Sequence, residues 1–267
     1  EYSLSYIDAG CDAYNGVSYH QGWIIVVCAD NSLLNPKHSL IKGKLIDDQL
    51  PLMEKLVDLP NMTLPNGLVV APDGAALYVA DFVLLGRGKV SQFALSFVNN
   101  SPVASLLKSA FLDVDQGIYS PNGLKFLDGD LYLTDFNVSG FQSRLIKVGL
   151  VEQRITNVEV LYEKNTIFDD LLPTCGGVLV ADFLNGRLLF VNPEQEVYES
   201  KFQEFPGISS MLWGQPPLFE EPSQMLITER GIIQDGLTDI GNQISLVPIS
   251  KLLQNKVGAH RQLQGQG

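Results

Sequence analysis

At 267 residues, with 45% hydrophobic and 18% charged side chains, the chain is long and apolar enough to bury a large core, which excludes an intrinsically disordered protein. A formal net charge of −12 argues against nucleic acid as a partner and against an anionic membrane surface. No apolar run approaches the roughly 18 residues of a transmembrane helix, so no membrane insertion is expected.

Taken in order, residues 1–9 alternate Tyr2, Leu4 and Tyr6 with polar residues and read as a strand. Next come Asn15-Gly16-Val17, Gly22 and the apolar run Ile25 to Cys28, ending at Asp30. A loop with Pro36, Lys37 and His38 leads to a strand around Leu40 to Ile46. Asn66-Gly67-Leu68, a turn at Asp73-Gly74 and Leu77-Tyr78-Val79-Ala80-Asp81-Phe82 follow. Val103 to Val114 reads as an apolar connection. Pro121-Asn122-Gly123 is predicted to turn into a short strand, Leu124 to Leu127. Asp128-Gly129 makes a hairpin to an alternating strand through Leu131 and Leu133. Arg144 to Val148 and Val158 to Tyr162 complete that unit. A further copy runs from Phe168-Asp169-Asp170-Leu171 through Gly176-Gly177 to Val178 and Asp182-Phe183, with Leu188 to Val191 as its third strand and a turn at Asn192-Pro193. The last runs from Ser209 to Gly214, then Met225 to Glu229 and Gln243 to Val247. Residues 255–267 read as a flexible tail.

The repetition decides the fold class. Successive copies are 51, 56, 47 and 41 residues apart, and Asn122 and Asp169 each lie 13 residues before the aspartate of an Asp-Phe pair. All-strand repeats of this length predict one all-β domain over residues 1–254, a β-propeller of four-stranded antiparallel blades with five copies legible. The strand at residues 1–9 would then close the ring against the last blade. Asn15, Asn66, Asn122 and Asp169 occupy the same slot. Either each is a turn residue bonding its own backbone, or their oxygens converge at one mouth of a central channel. A carboxylate with amide oxygens suits Ca²⁺ or Mg²⁺ rather than zinc, and such a cation polarises a carbonyl and acidifies a water. Asp81, Asp135 and Asp182 read as turn caps at the far end of each blade. His20 reads as a solvated turn residue, and Glu229 as a surface carboxylate or one approaching the channel.

Three sequons, at Asn61, Asn99 and Asn137, fall in predicted loops; Pro102 follows the second. Cys11 and Cys28 would close a small loop by a disulfide, leaving Cys175 as a free thiol. Glu1 rather than Met at the start reads as a processed or trimmed chain, and the sequons with the cysteine pair read as a secreted protein.

At Pro65-Asn66-Gly67, Ser120-Pro121-Asn122-Gly123 and Phe168-Asp169-Asp170, with the strand pairs that follow, the sequence resembles the senescence marker protein/gluconolactonase family over roughly residues 60–250. That resemblance implies six blades, a divalent cation held by Asn122 and Asp169, and Asn66 as a substrate-binding residue. It implies a metal-assisted hydrolase of a lactone or small ester, with Asn15 as a further substrate or secondary ligand. Three departures accompany it: no Glu-Gly-Pro ligand segment, with Tyr14-Asn15-Gly16 in the nearest slot; Asp170 where the family has glycine; and five legible blades where the family has six. The sequence is also similar to strictosidine synthase-like enzymes and secreted fungal hetero-Diels–Alderases. That similarity implies the alternative of a biosynthetic cyclase acting on a small-molecule intermediate, with Tyr14, Phe168 and Trp213 lining the channel.

Overall fold

The computed structural model describes residues 9–30, 32, 36–46, 50–200, 205–214, 224–230 and 243–248. The strand expected at the N-terminus, but for Ala9, and the expected C-terminal tail lie outside these residues.

Among the described residues the secondary structure is β-strand apart from two one-turn 3₁₀ segments, Val114–Gln116 and Val138–Gly140. The strands form five antiparallel sheets. The first contains β1 (Ala13–His20), β2 (Trp23–Ala29), β3 (Ser39–Lys44) and β4 (Glu54–Asp58), and the second β5 (Pro65–Val70), β6 (Ala76–Asp81), β7 (Lys89–Val98) and β8 (Ser101–Leu112). The third contains β9 (Pro121–Leu127), β10 (Asp130–Asn137), β11 (Gln142–Val151) and β12 (Arg154–Lys164). The fourth contains β13 (Phe168–Thr174), β14 (Gly177–Asp182), β15 (Arg187–Val191) and β16 (Val197–Glu199). The fifth contains β17 (Ile208–Trp213), β18 (Gln224–Glu229) and β19 (Gln243–Pro248), three strands among the described residues where the others have four. Each is a meander, the pattern of propeller blades.

Two-residue turns set the register. Asp128-Gly129, with φ of 52° and 88°, joins Leu127 to its partner Asp130. Positive φ at both residues matches the right-handed twist of the strands it links. Gln21-Gly22, Asn99-Asn100 and Glu152-Gln153 turn in the same way. The Asn99-Asn100 turn corrects one expectation: the stretch after it is no connection but strand β8, paired to β7.

The chain divides into two compact units, residues 1–142 with 146–159, and residues 143–145 with 160–267. In the first, Ile25, Val27 and Leu40 of sheet one meet Leu68, Leu77, Val79 and Phe93 of sheet two. The opposite face of sheet two places Tyr78, Ala80 and Val90 against Leu124, Leu131 and Leu133 of sheet three. Alternate residues of one strand thus serve two interfaces, which is why β6 is buried along its whole length. Lys42 of β3 ties these sheets at their rim. Its ammonium donates to Ser101 Oγ (2.6 Å) and the Pro102 carbonyl (2.8 Å), lies 3.2 Å from Glu54, and sits over the Trp23 ring. In the second unit, Leu172, Leu179 and Leu188 pack on Met211, Met225 and Ile227.

Candidate functional site

The Asn-Gly pairs are not turns. In all five sheets the first strand carries a β-bulge at the same place, and the recurring slot is that bulge. Tyr14 pairs with Cys28 and Val17 with Val26, leaving Asn15-Gly16 opposite Val27 alone. Pro65 pairs with Asp81 and Leu68 with Val79, so Asn66-Gly67 face only Ala80. Asn122-Gly123 likewise oppose Thr134, whose hydroxyl accepts the Gly123 N–H at 2.8 Å. Asp169-Asp170 oppose Ala181, and the register shifts again between Ile208 and Ser210. A bulge kinks the strand and re-aims one side chain out of the alternation, and such bulges concentrate beside binding sites.

The second bulge residue explains the glycines. A Cβ on Gly16 would stand 2.2 Å from the Asn66 carbonyl oxygen, and one on Gly67 would stand 2.0 Å from that of Asn122. Strands β1, β5 and β9 are therefore side by side at their bulges, with no room for a side chain between them. Asn15 adds a bond across the first gap, its Nδ2 donating to the Pro65 carbonyl at 2.7 Å. The first unit thus brings Asn15, Asn66 and Asn122 to one end of three adjacent strands. In the second unit, Asp170 fills the position that glycine holds in the first three sheets. It reaches across to β17, accepting from Ser210 Oγ and the Met211 N–H, both at 3.1 Å. The departure from glycine is an inter-strand clasp, and Asp169 stands in the slot itself.

Asp81, Asp135 and Asp182 are caps, but not at the far end. Antiparallel pairing returns each to the end where the bulge lies. Asp81 Oδ1 accepts the N–H groups of Thr63 and Leu64, each at 2.8 Å; Asp135 Oδ1 accepts those of Tyr119 and Ser120 at 2.8 and 2.7 Å. Both aspartates clamp the segment entering the bulged strand. Burial raises the Asp81 carboxyl above its usual range, against the pull of the Leu64 and Thr63 amides. Glu229 takes the matching place in sheet five and is 3% exposed, bonded to Gln243 and to Ser245. It is neither a surface group nor a free channel carboxylate.

The aromatic residues diverge. Tyr14 remains 39% exposed beside the first bulge, its hydroxyl accepting the Ala9 N–H. Trp213 is half-buried, its Nε1 donating to the Pro173 carbonyl at 2.8 Å. Phe168 is a correction: it is 1% exposed and stacks on Tyr162 in the core, so it offers no ring to a ligand. His20 is another. It ends β1 rather than lying in the turn, packed against Gly74 and 5.8 Å from the Phe97 ring. His38 is buried just before β3, its Nδ1 accepting the Asp30 N–H.

Asp30 itself caps the loop that follows it, accepting N–H groups from Lys37 and Ser32 at 2.8 Å. These bonds, that from Lys37 foremost, lower its carboxyl from 3.8 to about 2. A depressed carboxyl contributes stability above its unfolded pKa and loses it as pH falls through the folded one. Melts of Asp30→Asn should therefore be less sensitive to acid than wild type between pH 3.8 and about 2. Parallel curves for the two proteins would show that the cap does not hold in solution.

As donors, the three carboxamides of the first unit are hard oxygens, the kind that Ca²⁺ prefers. Among the described residues no group of three His, Cys, Asp or Glu is placed to hold a metal, so any cation here would rest on amide oxygens and few carboxylates.

No family model matches the chain, and no curated protein matches it. Its fold is nonetheless that of known structures. A luciferin-regenerating enzyme is 13% identical over 89% of this chain and 92% of its own, with a TM-score of 0.56. A Bacteroides uniformis protein designated a 6-phosphogluconolactonase is 16% identical over 86% of this chain and 73% of its own, TM-score 0.50. A chain of a nidogen/laminin complex is 15% identical over 72% of this chain, TM-score 0.50; this protein spans 64% of that chain, less than two thirds of its length. Sheets and likenesses together define a β-propeller fold.

Proposed function

We propose that the protein is a hydrolase of a lactone or small ester, acting on a small-molecule substrate at the bulged ends of its first strands. The observation that carries this reading is the bulge itself, repeated in every sheet with Asn15, Asn66, Asn122, Asp169 and Ser209 in its first place. The second residue sets the spacing between neighbouring strands, whereas the first bears a side-chain oxygen in every one of these sheets. The propeller likeness to a protein designated a lactonase is consistent with it.

In this reading Asn66 and Asn15 orient the substrate through their amides, which donate to and accept from carbonyl and hydroxyl oxygens. Asn122 is a cation ligand in this reading, and Asp169, in the matching slot of its own sheet, is a carboxylate ligand. A divalent cation, calcium in this reading, supplies carbonyl polarisation and a more acidic water when bound. The bulge backbone, locked by the Asp81 and Asp135 clamps, holds the amides in place before substrate arrives, so little ordering remains to be done on binding.

Calcium content and lactone opening, measured for wild type, Asn122→Ala and Asp169→Ala, test this directly. Each variant should lose bound calcium and about 100-fold in kcat/KM, roughly 2.7 kcal/mol of barrier, while its circular dichroism stays unchanged. A wild type that binds no divalent ion and opens no lactone ends the hydrolase reading. Chelator-insensitive cyclisation of a supplied polyene or quinone-methide precursor would replace it with the cyclase.

A further inference from the structure

We propose that Asn61 is a site of N-linked glycosylation, and that the protein matures in the oxidising secretory pathway where that modification is made. The inference is independent of the reaction the protein catalyses. It rests on how the structure treats the three sequons, together with a disulfide elsewhere in the same unit.

Asn61 stands in the turn between β4 and β5, exposed, with φ of 57°. Its neighbours divide their roles cleanly. Met62 is 5% exposed and anchors the turn in the core shared by the first two sheets. Thr63 serves the fold through its backbone, whose N–H donates to Asp81 Oδ1 at 2.8 Å, and its side chain is exposed. The turn is therefore rigid at its base, open at Asn61, and makes no demand on the threonine hydroxyl that an acceptor sequon needs.

The other two sequons are encumbered. At Asn99-Asn100-Ser101 the serine hydroxyl accepts the Lys42 ammonium at 2.6 Å, the Asn100 carbonyl accepts from Trp23 Nε1 at 3.0 Å, and Pro102 follows immediately. That hairpin tip is docked on sheet one. Asn137 is half-buried at the end of β10, and its Oδ1 accepts the Ser139 N–H as the cap of a 3₁₀ turn. A bulky polar oligosaccharide belongs on an exposed loop, and Asn61 meets that condition best.

The second, independent observation is the Cys11–Cys28 disulfide, which joins the segment before β1 to the end of β2 with a Cα–Cα distance of 5.3 Å. Disulfides of this structural kind persist in the compartments where N-glycans are added and are rare in the cytosol. In the transfer, Asn61 Nδ2 forms a bond to the anomeric carbon of an oligosaccharide carried on a lipid diphosphate. The anomeric carbon–oxygen bond breaks, the lipid diphosphate departs, and the amide loses one proton to the transferase.

The test is expression of the chain through a yeast secretory pathway, followed by peptide mass spectrometry with and without peptide-N-glycosidase in ¹⁸O-labelled water. The expected result is a secreted protein in which Asn61 is recovered as ¹⁸O-labelled aspartate, at higher occupancy than Asn99 or Asn137. Thr63→Ala should abolish the label at Asn61 without lowering the melting temperature of the deglycosylated protein, because the amide bond to Asp81 remains. Thr63→Ser should retain the label, which separates loss of the sequon from loss of the fold. Unlabelled Asn61 in secreted wild type, or label persisting in Thr63→Ala, overturns the assignment.

Discussion

Gly67→Ala is expected to destabilise the first unit by about 3 kcal/mol or more, at or above the upper end of ordinary overpacking. The new methyl carbon would stand 2.0 Å from the Asn122 carbonyl oxygen, and 3.1 Å from both its carbon and the Leu124 nitrogen. All three are backbone atoms of β9, so no side-chain rotation can relieve the clash. Strands β5 and β9 would have to separate by about an ångström, opening the packing of Leu68 on one face and Leu124 on the other. Against a total stability of about 5–15 kcal/mol this is a large fraction. Gly117→Ala is the control. Its added Cβ meets nothing within 4 Å, and only its φ of +78° is at stake, a penalty of about 1–2 kcal/mol. Urea melts of the two variants decide the matter: if Gly67→Ala is no worse than Gly117→Ala, the strands are not as close as described. Because the same shift would carry Asn66 away from Asn122, any lactone opening by Gly67→Ala should fall along with its stability.

The second large effect is expected for Asp182→Ala, at about 2–3 kcal/mol, the scale of hydrogen bonds to a buried charged group. Asp182 is fully buried and takes the Lys164 ammonium at 3.0 Å, the Thr166 hydroxyl, and Asn185 Nδ2 on both carboxylate oxygens. In sheets two and three the matching aspartate holds two backbone amides; here side chains do most of that work, with one backbone amide, that of Asn185, at 3.2 Å. Without Asp182 the buried Thr166 hydroxyl keeps only Asn185 Nδ2, and Lys164 keeps only Glu199. Burial alone would lower the Lys164 ammonium, but its contacts with Asp182 and Glu199 outweigh that and leave it raised above 10.5. A raised lysine contributes stability that is fully present below its unfolded pKa and is lost as pH rises through the folded value. Wild type should therefore lose stability above pH 10.5 faster than Asp182→Asn, which lacks the charge that holds the proton. Melting curves from pH 8 upward that run parallel in the two proteins would dissolve this account.

Much of the fold is legible in the sequence because its signals are local. Asp128-Gly129 announces a hairpin, and the alternation of Leu131 and Leu133 announces a half-buried strand, whatever surrounds them. The slot is legible as a recurrence, but its geometry is not. Asn-Gly normally marks a turn, and only the pairing of Pro65 with Asp81 and Leu68 with Val79 shows that here it marks a bulge. The end of the blade at which the aspartates sit is hidden for a related reason. Asp81 follows Pro65 by 16 residues, and only the position of the intervening turn at residues 71–75 shows that the chain returns to its starting level. Strand β8 imitates a connection because Val103 to Ala110 is open on both faces and so lacks a clean period of two. Phe168 resembles a channel residue only through its place beside Asp169. Which way a side chain leaves a bulged strand depends on that bulge, and no sequence pattern reports it.

The repeated bulge has a bearing on how such a protein changes over time. Its first position holds Asn three times, Asp once and Ser once, on first strands that each carry the extra residue at the same place. Strand spacing depends on the neighbour at the second position, and strand entry on the carboxylates across the hairpin. The first position is therefore a socket, where one small polar group can replace another without rerouting the backbone ladder. Side-chain chemistry at that position can drift by single substitutions while the folding problem stays the same.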